Sequence, residues 1–270
     1  MMGLRNTISL ILFLFCHKKK ALSFIIQPIN TQDYGLHMSS EDQEITNPKV
    51  AKLKSDILAL AAAYDRGYGA TQGVKQKVDN LIDNLSGYQD IEDVATGFQP
   101  SGEYIVDNTL SPPPLKGCWQ MVWTTAYDVL SIATPLATVS AIYQDIDPSL
   151  NSAINIIDLI PRTQAFLPPQ LPTPVTRLKV QTKATRRGPK RVGLVFESVE
   201  IQPFKNIIKD DLPIPIKFDL PTRYLEQYLS NFDSPGYFDV TYLDTDMLII
   251  KQNAPGGCFV LIKVESTDLE

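Results

Sequence analysis

The sequence predicts a mainly β protein, a small antiparallel barrel or a sandwich of about eight strands preceded by an N-terminal helical hairpin. Three observations predict this fold class. After residue 115, short segments alternate apolar and polar side chains and are separated by turn residues. Between residues 48 and 110, two windows instead place apolar side chains at helical spacing. The final segment, GYFDVTYLDTDMLIIKQNAPGGCFVLIKV (236–264), indicates three strands joined by two short turns, which is typical of a meander.

Composition bounds the class of protein. The chain has 270 residues, 44% of them hydrophobic and 20% charged, so it can bury a core. Its 25 basic and 30 acidic residues give a net charge of −5. This balance argues against nucleic acid as the main partner, because phosphate backbones are bound by positively charged surfaces.

The N-terminal segment predicts a signal peptide over residues 1–23. The apolar run at 8–16 has the length of a signal-peptide core and is too short to span a bilayer. Ala21 and Ser23 are small residues at the spacing that a signal peptidase reads. The alternative is a hydrophobic helix that the mature protein retains. Residues 24–47 are polar and aperiodic, and we predict a transit-like or disordered segment there.

The cleavage boundary ALSF also predicts a location. Phe24 at the new N-terminus resembles the boundary of bipartite plastid-targeting sequences in algae with secondary plastids. Residues 24–40 depart from that pattern because they carry no Lys or Arg. We therefore expect a plastid protein that first enters the ER through its signal peptide.

Two amphipathic helices are predicted in the helical part of the chain (48–110). Apolar residues recur at helical spacing on both sides of a Gly-Tyr-Gly break at 67–69: Val50, Leu53, Ile57, Leu58 and Leu60, then Val74, Val78, Leu81, Ile82 and Leu85. The apolar face of this hairpin is expected to pack on the barrel, although it could instead dock a partner or lie on a membrane. The stiff proline segment SPPPLKG (111–117) marks the boundary with the barrel (115–264).

The barrel strands are predicted from alternation and from turn residues. Before the meander, the candidate strands are GCWQMVWTT, TVSAIYQDI, SAINIIDLI, VTRLKVQTK and RVGLVFESVEI. The last two flank a hairpin turn at 186–190, and five prolines at 161–174 predict a loop. The proline-bearing segment DLPIPIKFDLP leads to a short helical candidate at 224–229. About eight strands is the number for a sandwich or a small closed barrel.

Catalytic and metal-binding residues are scarce in the part predicted to fold. After the signal peptide the only histidine is His37, which lies in the polar segment. Cys118 and Cys258 are too few for a zinc site without histidine. Asp244 and Asp246 flank a turn, where aspartate is expected for structural reasons. We therefore predict a protein that is not an enzyme and that uses no metal and no cofactor.

A disulfide between the two cysteines is disfavoured. In a closed, even-stranded barrel the first and last strands are antiparallel neighbours. Cys118 begins the first strand and Cys258 begins the last, so they would lie at opposite ends of the shared edge. A disulfide spans only about 4.4–6.8 Å between Cα atoms. Both cysteines are expected to be small buried hydrophobes.

Large apolar side chains recur on one face of the predicted strands. By alternation, Trp119, Met121 and Trp123 share a face, and so do Phe238 and Tyr242. An eight-stranded barrel either fills its interior with side chains or holds one small apolar ligand. The candidate ligand-binding residues of the interior are Trp119, Met121, Trp123, Phe196, Phe238 and Tyr242. The alternative is an ordinary packed core.

A run of basic residues is the second candidate surface. It contains no acid and consists of Arg177, Lys179, Lys183, Arg186, Arg187, Lys190 and Arg191. In a protein of net negative charge, this run predicts a contact with anionic lipid headgroups or with an acidic partner. The alternative is a solvated hairpin tip.

Several motifs occur in an order typical of one family. They are YDRG (64–67), GCWQMVWTT, IYQDID, INIIDLI, PKRVGLVFESVEI, LPIPIKF and the final GYFDVTYLDTDMLIIKQNAPGGCFVLIK. GCW is also similar to the Gly-x-Trp that opens lipocalin barrels. From about residue 50 to 264 the chain resembles the plastid lipid-associated proteins of the fibrillin family (PAP/fibrillin domain). It departs from them at the Arg186-Arg187 insertion and in the length of residues 222–234.

The resemblance implies a lipocalin-like barrel and a plastid protein associated with thylakoid membranes or plastoglobules. It also implies a non-catalytic role, in which the protein binds or stabilises lipids, carotenoids or prenylquinones. The alternative role is a scaffold that binds and stabilises an enzyme of isoprenoid or plastoquinone biosynthesis. A lipid-modifying enzyme would need clustered carboxylates that point into the barrel, which the alternation does not favour.

Overall fold

The fold of the protein is given by a computed structural model. The structure describes residues 47–88, 92–100, 112–132, 136–166, 168, 171, 173–203, 216–219, 236–253 and 256–265. The signal peptide, the transit-like segment up to residue 46 and the helical candidate at 224–229 lie outside these residues.

Two helices form in the predicted windows, α1 at Pro48–Ala63 and α2 at Gln72–Ser86. The Asn47 side chain accepts a hydrogen bond from the Lys49 N–H and caps α1, while Pro48 suits the first helical turn. The apolar faces of the helices are buried and include Ile57, Val78, Ile82 and Leu85. Among the described helices, none is long and apolar enough to cross a membrane.

The turn between the helices has left-handed backbone geometry. Asp65, Arg66 and Gly67 have φ values of 45°, 57° and 104°. The Arg66 guanidinium donates hydrogen bonds of 2.8 and 2.7 Å to the backbone carbonyls of Val139 and Ser140. The turn therefore ties the helical hairpin to the second strand of the sheet.

Nine strands and one further short helix follow in the described part of the chain. In chain order they are β1 (Gly117–Thr124), α3 (Tyr127–Leu130), β2 (Ala137–Asp147), β3 (Ser152–Pro161), β4 (Thr176–Arg186), β5 (Arg191–Gln202), β6 (Ile216–Asp219), β7 (Tyr237–Leu243), β8 (Met247–Gln252) and β9 (Gly257–Val264). Two 3-10 turns, Pro148–Leu150 and Arg162–Phe166, flank β3. β6 forms within the proline-bearing segment, where the sequence pattern predicts no separate strand.

Eight of the strands close into a ring. The order is β1-β2-β3-β4-β5-β7-β8-β9, β9 pairs back with β1, and every pairing is antiparallel. β6 pairs with β5 beyond the β7 contact and is not part of the ring. The predicted mainly β, barrel-like architecture with an N-terminal helical hairpin is therefore confirmed.

The inside of the ring is identified by one apolar cluster that draws a residue from every ring strand. These residues are Trp119, Ile146, Ala153, Ala184, Val192, Phe238, Leu248 and Leu261. Side chains from eight strands can meet only inside a closed ring. Val94, Ala95, Phe98 and Leu115 join the same cluster and cover one end of the ring.

The helical hairpin packs on the outer face of the ring. A second cluster joins α1 and α2 to Trp123, Tyr242, Ile249 and Val260 of β1, β7, β8 and β9. The predicted packing of the apolar helix faces on the barrel is therefore observed.

Two β-bulges overturn the expected shared faces. The register shifts between Met121 and Trp123 in β1 and between Val240 and Tyr242 in β7. One extra residue in a strand reverses the alternation beyond it. Trp119 and Phe238 therefore point into the ring, whereas Trp123 and Tyr242 point outward against the helices.

The cysteines lie where the barrel topology predicts. Cys118 pairs in register with Val264, whereas the Cys258 carbonyl accepts a 3.0 Å hydrogen bond from the Thr125 N–H at the other end of β1. Both thiols are buried and form no disulfide with each other. Burial raises the pKa of the Cys258 thiol to about 12.

Candidate functional site

One side of the ring interior, formed by β7, β8, β9 and β1, is filled by side chains. Trp119, Phe238, Leu248 and Leu261 are all buried there. The Trp119 indole N–H donates a 3.1 Å hydrogen bond to the Leu115 carbonyl, so its polar atom is satisfied. This side is a packed core.

The opposite side, formed by β3, β4 and β5, remains partly accessible. Asn155, Ile157, Val180 and Leu194 are half-buried, and Phe196 is 36% exposed. Ala153 on β3 and Ala184 on β4 point into the ring. The other residues also point inward, because they lie an even number of positions away on the same strand or pair in register with an inward residue of the next strand. The interior therefore offers a mainly apolar surface that its own side chains do not cover completely. We call it the open inner face.

Polar side chains occupy three inward positions next to the open inner face, one each on β2, β3 and β4. Thr182 is fully buried and is the register partner of Phe196, beside a bulge in which Glu197 is the extra residue. Among the described residues, the Thr182 hydroxyl has no hydrogen-bond partner. The Gln144 side-chain amide donates a 3.3 Å hydrogen bond to the Asn155 side-chain carbonyl. Sequence reasoning missed these residues, although a polar side chain at an inward position of an alternating strand is a usable signal.

The six predicted interior residues separate into three groups. Trp119 and Phe238 lie in the packed core, and Met121 is buried near the other end of the ring with Val139 and Ile142. Trp123 and Tyr242 lie outside the ring against the helices. Phe196 alone of the six combines an inward position with substantial exposure. Ligand contact by these side chains stays a prediction.

The basic run meets acidic residues from other parts of the chain. Arg177 forms a buried bidentate ion pair with Asp158, at 2.7 and 2.8 Å. Arg191 forms an exposed bidentate pair with Asp239, at 2.7 and 2.9 Å, and its guanidinium lies 4.0 Å from the centroid of the Tyr237 ring.

Of the other basic residues in the run, only some have their charge neutralised by a nearby carboxylate. Arg186 pairs with Asp93. No carboxylate of the described chain pairs with Lys179, Lys183 or Lys190. Lys190 and Arg187 are exposed at the hairpin tip, whereas Lys179 and Lys183 are half-buried on β4. The positive surface is therefore smaller than the sequence suggests, and its contact with a membrane or partner stays a prediction.

A charged cluster fastens α1 to the turn between β7 and β8. The Lys54 ammonium lies 2.5 Å from carboxylate oxygens of both Asp244 and Asp246, and the Tyr242 hydroxyl donates to Asp244 at 2.5 Å. Burial acts to lower the pKa of Lys54, but hydrogen bonds to the two carboxylates raise it overall. Burial acts to raise the pKa of Asp244, but hydrogen bonds from Asp246, Lys54 and Tyr242 lower it overall. The carboxylates of the YLDTD motif are thus engaged in a structural contact outside the ring.

A cleft of about 500 Å³ lies outside the ring, between residues 92–94, the prolines at 112–114 and the β7–β8 turn. Its lining carries both signs of charge, including Asp93, Asp244 and Lys263. Apolar side chains, including the three prolines and Leu243, form most of the exposed lining beside these charges. In the described part of the chain, no group of three or more His, Cys, Asp or Glu side chains is arranged to hold a metal ion.

Comparison with known proteins gives one family assignment. The PAP_fibrillin family model matches residues 51–262, from the first turn of α1 to the last strand. No curated protein matches the chain. The family comprises plastid lipid-associated proteins that are generally non-catalytic, and it implies a plastid location. Because the match covers most of the sequence and agrees with the closed ring and its helical hairpin, the chain belongs to the PAP_fibrillin family.

Proposed function

We propose that this protein associates with thylakoid or plastoglobule lipids and holds or stabilises a hydrophobic molecule, such as a lipid, carotenoid or prenylquinone, against the open inner face. The observation that carries the proposal is the accessibility of apolar inward side chains, with Phe196 the most exposed. Burial of apolar surface stabilises a complex by roughly 25 cal/mol per Å² before the costs of association. A ligand that covered this face would gain that contribution.

The packed side of the interior supports the same role. Trp119, Phe238 and Leu248 are held by neighbours on several strands and need no rearrangement when a ligand binds opposite them. A rigid wall reduces the ordering cost of binding. The ring would therefore act as a half-filled container.

The proposed role requires no catalytic chemistry. The Asp244 and Asp246 carboxylates contact Lys54 outside the ring, where they cannot reach a molecule bound inside. A non-catalytic role is consistent with the family.

We further propose that residues 1–23 and 24–47 direct the chain to a secondary plastid through the ER. A fluorescent protein fused to residues 1–47, expressed in an alga with a secondary plastid, should accumulate in the plastid. The same fusion starting at residue 24 should stay in the cytosol. Plastid import of the shortened fusion would contradict the signal-peptide step.

A scaffold function is the second candidate, and the exposed basic tip of the β4–β5 hairpin favours it. Arg187 and Lys190 at this tip offer an electrostatic contact for an acidic surface. On this hypothesis the protein binds and stabilises an enzyme of isoprenoid or plastoquinone biosynthesis.

Native mass spectrometry of the protein purified from plastids, followed by lipid extraction, separates the two functions. One isoprenoid or acyl lipid per chain would support the container. A mass without lipid would contradict it, and a second polypeptide at fixed stoichiometry would support the scaffold.

A matched pair of variants localises the cargo. Phe196→Glu places a charge on the open inner face and should abolish lipid co-purification, because an unpaired charge is costly in an apolar site. Phe166→Glu makes the same change at a side chain that is 87% exposed in the 3-10 turn after β3, and it should retain the lipid. Equal retention by both variants would place the lipid elsewhere on the protein.

A further inference from the structure

The Thr182 hydroxyl is a buried polar group inside the ring that lacks a partner in the described part of the chain. The side chain is 0% exposed, and its oxygen makes no hydrogen bond to any described residue. Buried polar groups are almost always hydrogen-bonded, since an unsatisfied hydroxyl opposes folding. A threonine in such a position needs an explanation, and a bound ligand that supplies the missing partner is one.

Asn155 lies next to Thr182 on the same face. Thr182 pairs in register with Ala153, and Asn155 follows two residues later on β3. Such diagonal neighbours on one face of an antiparallel pair are about 7–8 Å apart, within reach of a single small group between them. The two residues therefore occupy neighbouring inward positions beside the open inner face.

Both residues offer hydrogen-bond donors. The Asn155 side-chain carbonyl already accepts from the Gln144 amide, which leaves the Asn155 NH₂ group to donate. The Thr182 hydroxyl also carries a proton that no described protein group accepts. Two donors call for an acceptor, and a carbonyl oxygen with two lone pairs fits both.

The surroundings define the rest of the ligand. Phe196, Leu194 and Val180 flank the polar pair with apolar side chains, and Phe196 is the register partner of Thr182. The bulge at Glu197 lies beside this pair, and bulges often re-aim side chains next to binding sites.

We propose that Thr182 and Asn155 form a recognition site for the carbonyl oxygen of an otherwise apolar ligand, such as a quinone or ketone with a hydrocarbon tail. Gln144 is a positioning residue that orients the Asn155 amide through its hydrogen bond. The inference rests on the proposed function and adds selectivity to it: the site distinguishes an oxygenated ligand from a pure hydrocarbon of similar shape.

The test uses two probes that differ in the carbonyl groups, 2-decyl-1,4-benzoquinone and decylbenzene. Native mass spectrometry titrations of the ligand-free protein would measure both dissociation constants. The wild-type protein should bind the quinone more tightly. Thr182→Val, which keeps the side-chain shape, should weaken quinone binding by about five- to tenfold, the value of one hydrogen bond. It should leave the dissociation constant of decylbenzene unchanged.

Two controls separate recognition from structural damage. Thr138→Val makes the same replacement on the face of β2 opposite to the inward Val139 and should change neither constant. In the ligand-free protein, Thr182→Val should keep or raise the melting temperature, because it removes a hydroxyl that has no partner among the described residues.

Each outcome bears on a distinct claim. Equal binding of both probes with no effect of Thr182→Val would overturn the recognition site and leave the container intact. Binding of neither probe would overturn both. A lower melting temperature for ligand-free Thr182→Val would show that the hydroxyl is already satisfied within the protein and would also overturn the recognition site.

Discussion

Asp158 and Arg177 face each other across β3 and β4, and the guanidinium donates hydrogen bonds of 2.7 and 2.8 Å to the two carboxylate oxygens. Their side chains are 11% and 6% exposed, so the pair is nearly removed from water. The hydrogen bond and charge of Asp158 raise the pKa of Arg177 despite its burial. A residue that the sequence placed in a basic docking surface is thus part of the framework of the sheet.

Removal of one member of this pair should destabilise the protein strongly. Arg177→Leu leaves a buried carboxylate without its partner, and we expect the free energy of unfolding to fall by about 3–5 kcal/mol. Arg191→Leu breaks a similar bidentate pair at an exposed position, where solvent screens the charges, and should destabilise the protein much less than Arg177→Leu. Urea denaturation of the two variants would measure both values. Equal losses would mean that burial does not set the strength of the Arg177 pair.

Replacement by alanine should have opposite effects on stability at Gly67, in the interhelical turn, and at Gly73, in α2. Gly67 has a φ of 104°, and a Cβ atom there would lie 2.2 Å from the Thr124 carbonyl oxygen. Gly67→Ala should therefore destabilise the protein by at least about 2 kcal/mol, from backbone strain and the contact with β1. Gly73, in the first turn of α2, has open space around the same position. Gly73→Ala should be neutral or stabilising by up to about 1 kcal/mol. Thermal melts of both variants test the contrast, which a stable Gly67→Ala protein would contradict.

Tyr68 should make the protein sensitive to alkaline pH. Burial raises the pKa of its phenol from 10.0 to about 12, so the folded protein holds this proton more tightly than the unfolded chain does. The contribution of this pKa difference to the free energy of unfolding is fully present below pH 10. It is lost as the pH rises from 10 towards 12. Tyr68→Phe cannot ionise, and its free energy of unfolding should fall less across that window.

The comparison removes the contribution of other groups. The pKa values of Lys54 and Tyr242 are also raised, so these residues contribute to the loss of protein stability at high pH. Wild type and Tyr68→Phe both contain them, and their contribution cancels in the comparison. The difference between wild type and Tyr68→Phe, followed by urea denaturation from about pH 8 to 12, isolates Tyr68. A difference that stayed constant over that range would exclude a titration of Tyr68.

The two core cysteines should be inert in the folded protein. Cys118 and Cys258 are buried, and burial raises the pKa of the Cys258 thiol to about 12, which leaves almost no reactive thiolate at neutral pH. Iodoacetamide at about pH 7.5 should leave both thiols unmodified, as measured by peptide mass spectrometry, and should modify both in about 6 M urea at the rate of a free cysteine. Rapid modification of Cys258 without denaturant would show that β9 opens locally.

Much of the fold could be predicted from local pattern. The helical spacing of residues such as Val78, Ile82 and Leu85 predicted α2, because burial of one face is what stabilises a surface helix. Period-2 alternation and turn residues predicted most strands. β6 was missed because its neighbouring prolines and its short length hide the alternation.

The candidate site was predicted less well, for two physical reasons. One extra residue in β1 and one in β7 send Trp123 and Tyr242 to the outer face, and strict alternation has no signal for a bulge. The acidic partners of the basic run come from distant segments. Asp93, for example, is far from Arg186 in sequence, and local composition cannot reveal such a pairing.

Spacing and order along the chain were enough to establish the family, the helical hairpin, the β class and the separation of Cys118 from Cys258. Only the tertiary structure decided which side of the ring is filled by side chains and which arginines form ion pairs. It also decided that the Thr182 hydroxyl is buried without a hydrogen-bond partner among the described residues. These features depend on residues that meet across the ring from strands far apart in sequence. Their contacts are set by strand register, and a shift of one residue reverses them.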